Sequence, residues 1–137
     1  MTPRSIPSLS QALTVNPVLI DDQQPISMAK ALFKKHQIHH LIVTCDGDLC
    51  GLISDHDLQH HEKLYGLSPL EELLVKDISN DRIVVADVND PLHTILDVMV
   101  QRQLECIVIL QDGELHGIFT TTDACRIFSQ LLQEYSS

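Results

Sequence analysis

Blocks of apolar and polar residues along the chain predict short strands and amphipathic helices in a fixed order. Leu41 to Thr44 predicts a strand, and Leu49 to Ser54 predicts the strand that returns beside it. Asp46-Gly47 lies between them, which is typical of a two-residue hairpin turn. A brief apolar strand at Val18 to Ile20 and a helix beginning near Pro25 come before this hairpin. A polar helix from Asp57 follows it.

The same order returns 66 positions later. Cys106 to Leu110, the turn Asp112-Gly113 and Leu115 to Thr120 predict a second hairpin. An earlier strand at Ile83 to Ala86 and a helix beginning near Pro91 precede it. The helix after it has an apolar stripe at helical spacing: Ala124, Ile127, Phe128, Leu131, Leu132 and Tyr135.

Two copies of one β-α-β-β-α unit therefore follow each other without a gap in register. The identical pairs include Pro25 and Pro91, Gly51 and Gly117, and Asp57 and Asp123. Such a pattern predicts an internal duplication, with repeats at 8–66 and 67–133. The expected fold is α/β (α+β), with the two repeats packed about a pseudo-twofold axis. Pro7 to Leu13 predicts a short helix or lead-in, which Thr14 to Pro17 is expected to end. Ser68 to Glu71 predicts the capped start of another short helix.

Each hairpin runs directly into its helix through a similar sequence, Gly51-Leu52-Ile53-Ser54-Asp55-His56-Asp57 and Gly117-Ile118-Phe119-Thr120-Thr121-Thr122-Asp123. A helix start presents unpaired backbone N–H groups and the positive end of the helix dipole, which together favour a phosphate. Hydroxyls and a carboxylate at the same place indicate a polar ligand site. Taken alone, either motif is equally well explained as a helix cap with first-turn acids.

Composition narrows the classes of function. The 137 residues have a formal net charge of −10 and a mean hydropathy of +0.05. This acidity argues against nucleic acid and anionic membranes, which require clustered Lys and Arg. No apolar run has the length of a signal segment or a membrane span, so we expect a cytoplasmic protein with free thiols. The hairpin register sets Cys45 opposite Asp48 and not Cys50, which predicts no structural disulfide between these cysteines.

The repeated motif, its hairpin and the element order resemble a tandem CBS-domain pair (cystathionine-β-synthase domains, or Bateman module). The resemblance covers roughly residues 8 to 133 and implies a regulatory module with no catalytic domain. It implies adenosine-type ligands, namely AMP, ADP, ATP or S-adenosylmethionine, bound in clefts between the repeats. A carboxylate can accept hydrogen bonds from two neighbouring ribose hydroxyls, which agrees with that ligand class.

Carried over by position, the resemblance assigns ribose binding to Asp57 and Asp123, and a contact near ribose or phosphate to Ser54 and Thr120. Thr121 lies in the same junction, and His39 is a further candidate just ahead of the central strand. Family members often have Arg immediately before the motif Asp, where this chain has His56 and Thr122. Because that cation is missing and Asp55 adds charge at the first motif, we expect AMP in preference to polyphosphates, and the second motif in preference to the first.

Eight histidines suggest one alternative chemistry. His56 and His60 have the i, i+4 spacing that can hold a transition metal on a helix, with His61 and Glu62 nearby, but no third ligand follows at a recognisable spacing. No Cys or Ser forms a recognisable set with a His and an acid, so we expect no enzyme.

The sequence therefore predicts an adenine-nucleotide-binding module that forms a homodimer and passes ligand occupancy to a regulated partner protein. Ligand would act by shifting the population of two packings of the repeats. Two alternatives remain open: a ligand-free dimerisation module, and a metal-responsive protein that uses the histidines.

Overall fold

A computed structural model describes residues 6–66 and 73–136. The chain forms two compact units that do not follow the order of the sequence. One unit, called here the C-terminal unit, combines Met1–Pro17 with Val84–Ser137, and the other, the central unit, is Val18–Ile83. None of the described helices is long and apolar enough to cross a membrane.

The central unit has a three-stranded sheet with the order β2-β3-β4. Strands β2 and β3 are parallel, and β3 and β4 form the antiparallel hairpin. Its elements are β2 (Leu19–Asp21), α2 (Ile26–His36), β3 (His40–Cys45), β4 (Asp48–Ser54), α3 (Asp55–Tyr65) and α4 (Val75–Ile78). The predicted β-α-β-β-α order is confirmed. The helix predicted from Ser68 to Glu71 lies outside the described residues.

The C-terminal unit has a four-stranded sheet with the order β1-β7-β6-β5. Its elements are α1 (Leu9–Ala12), β1 (Thr14–Val15), β5 (Val85–Asp87), α5 (Leu92–Arg102), β6 (Cys106–Gln111), β7 (Glu114–Thr120) and α6 (Thr121–Ser136). As expected, the short helix ends before Thr14 to Pro17, since α1 ends at Ala12, but the strand that follows it was not predicted. Thr14 and Val15 form a strand that pairs antiparallel with β7, a long-range pairing that the local sequence does not signal.

Both hairpins turn through the Asp-Gly pairs that the sequence marked. Asp46 and Gly47 have φ values of 51° and 86°, and Asp112 and Gly113 have 54° and 78°. Two consecutive residues with positive φ are the requirement of a type I′ turn, for which Asp-Gly is a preferred pair. Local turn chemistry therefore fixes both hairpins.

Each hairpin contains one extra residue on its second strand. Val43 pairs with Gly51 while Thr44 pairs with Leu49, so that Cys50 is left between them. The other hairpin repeats this bulge at His116, between Leu115 and Gly117. A bulge of this kind redirects the extra side chain and bends the strand.

Each unit has its own apolar core behind its sheet. Leu41, Val43 and Ile53 are fully buried in the central unit with Ile26 and Val75. The C-terminal unit buries Leu9, Ile107, Ile109, Phe119, Ile127 and Met99. Because Leu9 and Ala12 of α1 belong to this second core, α1 packs with the last elements of the chain.

The motif glycines allow a second segment to cross each hairpin. A Cβ on Gly51 would lie 2.7 Å from the carbonyl oxygen of Asn80, and a Cβ on Gly117 would overlap the carbonyl oxygen of Thr14. Leu52 and Asn80 exchange backbone hydrogen bonds of 2.9 and 3.0 Å. Thr14 and Asn80 are themselves 66 positions apart, so each repeat's leading segment pairs with the hairpin of the other repeat. The predicted repeats therefore describe the sequence but not the compact units. In the structure, the leading segment of each repeat pairs with the hairpin of the other repeat.

Candidate functional site

The first motif forms a reciprocal cap at the start of α3. Asp57 N–H donates to Ser54 Oγ over 3.0 Å, and Ser54 N–H donates to Asp57 Oδ2 over 2.9 Å. This is a capping box with an Asp at its third helical position. Ser54 is buried and Asp57 is half-buried, so the motif carboxylate keeps access to solvent.

Asp57 borders a cavity of about 340 Å³. The cavity is lined by His56, Asp57, His60, His61, Leu64, Tyr65, Asp77 and Ile78. Its volume is at the lower end of the range for small-molecule sites, and its walls combine apolar carbons with a few polar groups. The arrangement suits a small polar ligand with hydroxyls that donate to a carboxylate.

The second motif repeats the cap but encloses its carboxylate. Thr120 N–H donates to Asp123 Oδ2 over 2.9 Å, and Asp123 N–H donates to Thr120 Oγ1 over 3.3 Å. Thr120 Oγ1 also lies 3.1 Å from Asp123 Oδ2, and Thr14 Oγ1 donates to Asp123 Oδ1 over 3.1 Å. The Asp123 side chain is only 1% exposed. A ligand hydroxyl has to displace one of these partners to reach it.

A cation stands beside the second motif at a position that the motif pattern does not include. Arg126 Nη1 lies 3.0 Å from Asp123 Oδ1, one helical turn along α6, and its side chain is 56% exposed. His60 takes the equivalent place in the first repeat. The expected lack of a cation before the motif Asp is thus offset at the second motif by a cation three residues after it.

The other candidate residues are dispersed around the two junctions. Thr121 N–H donates to Glu105 O over 3.0 Å, and both Thr121 and Thr122 are exposed. His39 Nδ1 lies 2.7 Å from Asp55 Oδ2. His39 and Asp55 border a different groove, of about 510 Å³, and neither lines the cavity beside Asp57.

The pKa of the Cys106 thiol reflects its buried position and the negative charges near the second motif. Burial, together with the negative charges of Asp123 and Glu105, raises the pKa of Cys106 from 9.0 to about 12. Cys106 is therefore a protonated core residue at neutral pH. Cys125 is also a free thiol but is exposed.

Cys45 and Cys50 are joined in a disulfide, so the prediction of no structural disulfide there was wrong. The predicted register was correct, since Cys45 does pair with Asp48. The bulge at Cys50 overturns the conclusion, because it brings the Cα atoms of the two cysteines to 5.8 Å. No local signal in the sequence distinguishes this bulge from a regular hairpin.

Sequence reasoning also missed Thr14, Arg126, Tyr65 and Asp77 as neighbours of the motifs. The spacing of 66 marks Thr14 and Asn80 as equivalent positions but does not indicate which hairpin each leading segment pairs with. The i, i+3 relation of Asp123 and Arg126 was available for the ion pair. Of the histidine pair, His56 and His60 both line the cavity, but among residues 6–66 and 73–136 no group of three metal-ligating side chains includes them.

The sequence model of the CBS domain family matches the chain twice, at residues 9–63 and 75–130. Together these segments cover most of the chain, so the protein belongs to the CBS domain family and is a tandem CBS pair. Both matches include a complete motif, from Gly51 to Asp57 in the first and from Gly117 to Asp123 in the second. No curated protein matches the chain in a search by sequence.

Solved structures of CBS proteins share the fold at low sequence identity. An uncharacterized conserved protein from Pyrococcus horikoshii is 23% identical, with a TM-score of 0.79 over 90% of this chain and 93% of its own. The CBS domain pair of protein MJ0100, solved in complex with 5′-methylthioadenosine and S-adenosyl-L-methionine, is 20% identical, with a TM-score of 0.79 over 92% of this chain and 98% of its own. CBSX2 in complex with AMP is also 20% identical, with a TM-score of 0.70 over 90% of this chain and 97% of its own.

Proposed function

We propose that this CBS pair is a regulatory, non-catalytic module that binds an adenosyl ligand and passes its occupancy to a partner protein. The observation that carries the proposal is the motif carboxylate of Asp57, fixed by its cap to Ser54 and facing a cavity of about 340 Å³. The adenosyl ligands of MJ0100 and CBSX2 support the same ligand class for this chain.

The surroundings of the two carboxylates favour the first motif as the higher-affinity site. The described hydrogen bond to the Asp57 carboxylate comes from Ser54 N–H, and ribose hydroxyls can use its remaining lone pairs. Asp123 already accepts from Thr14, Thr120 and Arg126 in a buried setting, and breaking such bonds opposes ligand entry. This order of the sites reverses the preference drawn from sequence.

The lining of the cavity favours a lightly charged ligand. Its described polar groups are the imidazoles of His56, His60 and His61, the phenol of Tyr65 and two carboxylates, with no Lys or Arg. Imidazole N–H groups can donate to one phosphate, whereas a triphosphate needs more positive charge than they supply. We therefore propose AMP or an uncharged or cationic adenosyl compound, such as S-adenosylmethionine, in preference to ADP or ATP.

Calorimetric titration of AMP into Asp57→Asn and Asp123→Asn separates ligand binding from helix capping. Asn keeps an oxygen that can accept from the motif N–H, so the cap survives while the charge is lost. We expect Asp57→Asn to lower AMP affinity at least tenfold, which is about 1.4 kcal/mol, and Asp123→Asn to lower it less.

Asp97→Asn is the matched control, because Asp97 is 72% exposed on α5 and its described ion pair is a 4.0 Å contact to His93. It should bind AMP as the wild type does. Equal AMP affinity in the wild type and in both motif variants would refute the motif proposal. A larger loss in Asp123→Asn would restore the preference for the second motif.

A ligand-free assembly module is the second candidate, and the exposed apolar side of α6 favours it. Phe128 and Leu132 are 63% and 54% exposed, which is unusual for large apolar side chains on a terminal helix. Such a surface fits homodimerisation whether or not ligand binds. Ligand titration distinguishes the two candidates, since an assembly module predicts no AMP binding at all.

A further inference from the structure

We propose that Asp22, Cys45 and Cys50 form a zinc site in the reduced protein, and that the Cys45–Cys50 disulfide is its metal-free, oxidised form. The carboxylate of Asp22 and the two sulfur atoms lie within 4.8 Å of one another. They are the one group of three metal-ligating side chains found among residues 6–66 and 73–136. This site is separate from the motif junctions and independent of the adenosyl proposal.

The backbone holds the three residues in place from two strands and a loop. Asp22 follows β2, and its N–H donates to Thr44 O over 2.9 Å while its own carbonyl accepts from Lys76 N–H over 3.0 Å. Cys45 ends β3, and the bulge turns Cys50 of β4 toward it. All three side chains are half-buried, so the cluster is partly desolvated but open to an ion.

The second repeat shows that the fold does not require these side chains. It has Val88, Gln111 and His116 at the equivalent positions, each 66 residues later. The backbone there is the same, since Val88 N–H donates to Leu110 O over 2.9 Å and the bulge recurs at His116. Only the first repeat concentrates two thiols and a carboxylate at this corner, which indicates a function that the fold alone does not explain.

The contact between Asp22 and Cys45 places two ligand atoms where one cation can bind both in the reduced state. Asp22 Oδ2 lies 3.2 Å from Cys45 Sγ. A disulfide sulfur carries no hydrogen, so neither atom can donate to the other in the oxidised chain. A Zn²⁺ ion would bind both atoms and neutralise the carboxylate. Gln23 Nε2 donates to Asp22 Oδ1 over 3.3 Å and would orient the carboxylate from behind.

Conversion of the disulfide to the zinc-binding form requires a dithiol reductant. Two electrons and two protons from the dithiol break the S–S bond, giving two cysteine thiols and the oxidised, disulfide form of the reductant. Zn²⁺ then displaces both thiol protons and binds two thiolates and one carboxylate oxygen, which leaves a fourth position for water. The Cys-x₄-Cys spacing lies within the range usual for zinc ligands.

Cobalt(II) substitution tests the site directly. Full-length protein is reduced with a dithiol, freed of reductant under argon and titrated with Co²⁺, with unreduced protein titrated in parallel. We expect one Co²⁺ per reduced chain, with sulfur-to-cobalt charge-transfer absorption that Zn²⁺ abolishes on displacement. Oxidised protein should show no charge-transfer band.

Substitution of each proposed ligand, with matched control substitutions, tests which side chains bind the metal. Cys45→Ser and Cys50→Ser should each lose the charge-transfer band, and Asp22→Asn should weaken Co²⁺ binding at least tenfold. Asp21→Asn and Cys125→Ser are matched controls that should bind as the reduced wild type does, and circular dichroism checks that every variant is folded. The proposal is overturned if reduced wild type shows no charge-transfer band. It is equally overturned if His56→Ala/His60→Ala, and not the cysteine variants, removes the bound metal.

Discussion

Asp57 and Asp123 occupy the same position of one repeated motif, but their surroundings differ. Sequence reasoning predicted both carboxylates at helix starts, and the caps with Ser54 and Thr120 confirm that local placement. It did not predict that Thr14 and Arg126 enclose Asp123. The i, i+3 spacing of Arg126 was an unused signal, whereas Thr14 belongs to a segment more than a hundred residues away. Local capping chemistry was therefore predictable, and the accessibility of each carboxylate was not.

Thiol reactivity tests the electrostatic environment of Cys106. Because burial and the charges of Asp123 and Glu105 raise its pKa to about 12, the folded protein keeps this thiol protonated and unreactive at pH 8. With the Cys45–Cys50 disulfide intact, we expect a disulfide reagent such as Ellman's reagent to modify one thiol rapidly, that of the exposed Cys125, and Cys106 only after unfolding in urea. Cys125→Ser should lose the rapid phase. Two rapid thiols in the native protein would contradict this assignment.

The same raised pKa makes folding depend on pH. An unfolded chain releases the Cys106 proton near pH 9, whereas the folded chain retains it to about pH 12. The contribution of Cys106 to the free energy of unfolding is therefore fully present below pH 9 and is lost progressively as the pH rises from about 9 toward 12. Cys106→Ala should remove this part of the pH dependence, as urea unfolding at several pH values would measure.

At the scale of elements, the leading strand β1 depends on the glycine that it crosses. A Cβ at Gly117 would overlap the Thr14 carbonyl oxygen and a Leu13 methyl group, so β1 must move away from β7. We expect Gly117→Ala to lower the free energy of unfolding by about 1–3 kcal/mol in urea titrations, the usual cost of overpacking. Gly51→Ala meets the Asn80 carbonyl at 2.7 Å and should cost less. Wild-type stability in Gly117→Ala would show that β1 does not cross there.

The hairpins show which structural features the local sequence predicts and which it does not. Asp-Gly turns and apolar alternation predicted both pairs of strands, because these signals act over a few residues. The bulge at Cys50 has no such signal, and it reversed the conclusion about the disulfide. The strand at Thr14 and Val15 was not predicted for a related reason, since a two-residue strand forms only through its distant partner β7.

At the scale of the whole molecule, α6 suggests self-association. Ile127 of its predicted apolar stripe is buried in the C-terminal unit, while Phe128 and Leu132 remain largely exposed. We expect light scattering to give about twice the chain mass of 15.4 kDa, and Leu132→Asp to give the mass of one chain. Val100→Asp is the control, because Val100 is 78% exposed on α5 and should leave the mass unchanged. A wild-type mass of one chain at tens of micromolar would exclude this dimer.

The family, the repeat and the order of elements were predictable, because the signals for them lie within short stretches of sequence. The duplication repeats each of these signals. The exchange of leading segments was not predicted, because Thr14 and Asn80 are equivalent positions whichever hairpin each of them pairs with. The two hairpins have similar sequences, so the sequence does not show which of them a leading segment pairs with. Three-dimensional packing determines that pairing.

Thermal unfolding of the wild-type protein with adenosyl compounds tests the central claim most directly. AMP, 5′-methylthioadenosine, S-adenosylmethionine and ATP are compared, with GMP as the control for the base. A ligand at 100 times its dissociation constant stabilises the fold by about 2.7 kcal/mol, which should raise the midpoint by roughly 10 °C. We predict a concentration-dependent rise for AMP or another lightly charged adenosyl compound, a smaller one for ATP and none for GMP. An unchanged midpoint with all four adenosyl compounds would contradict the proposed function.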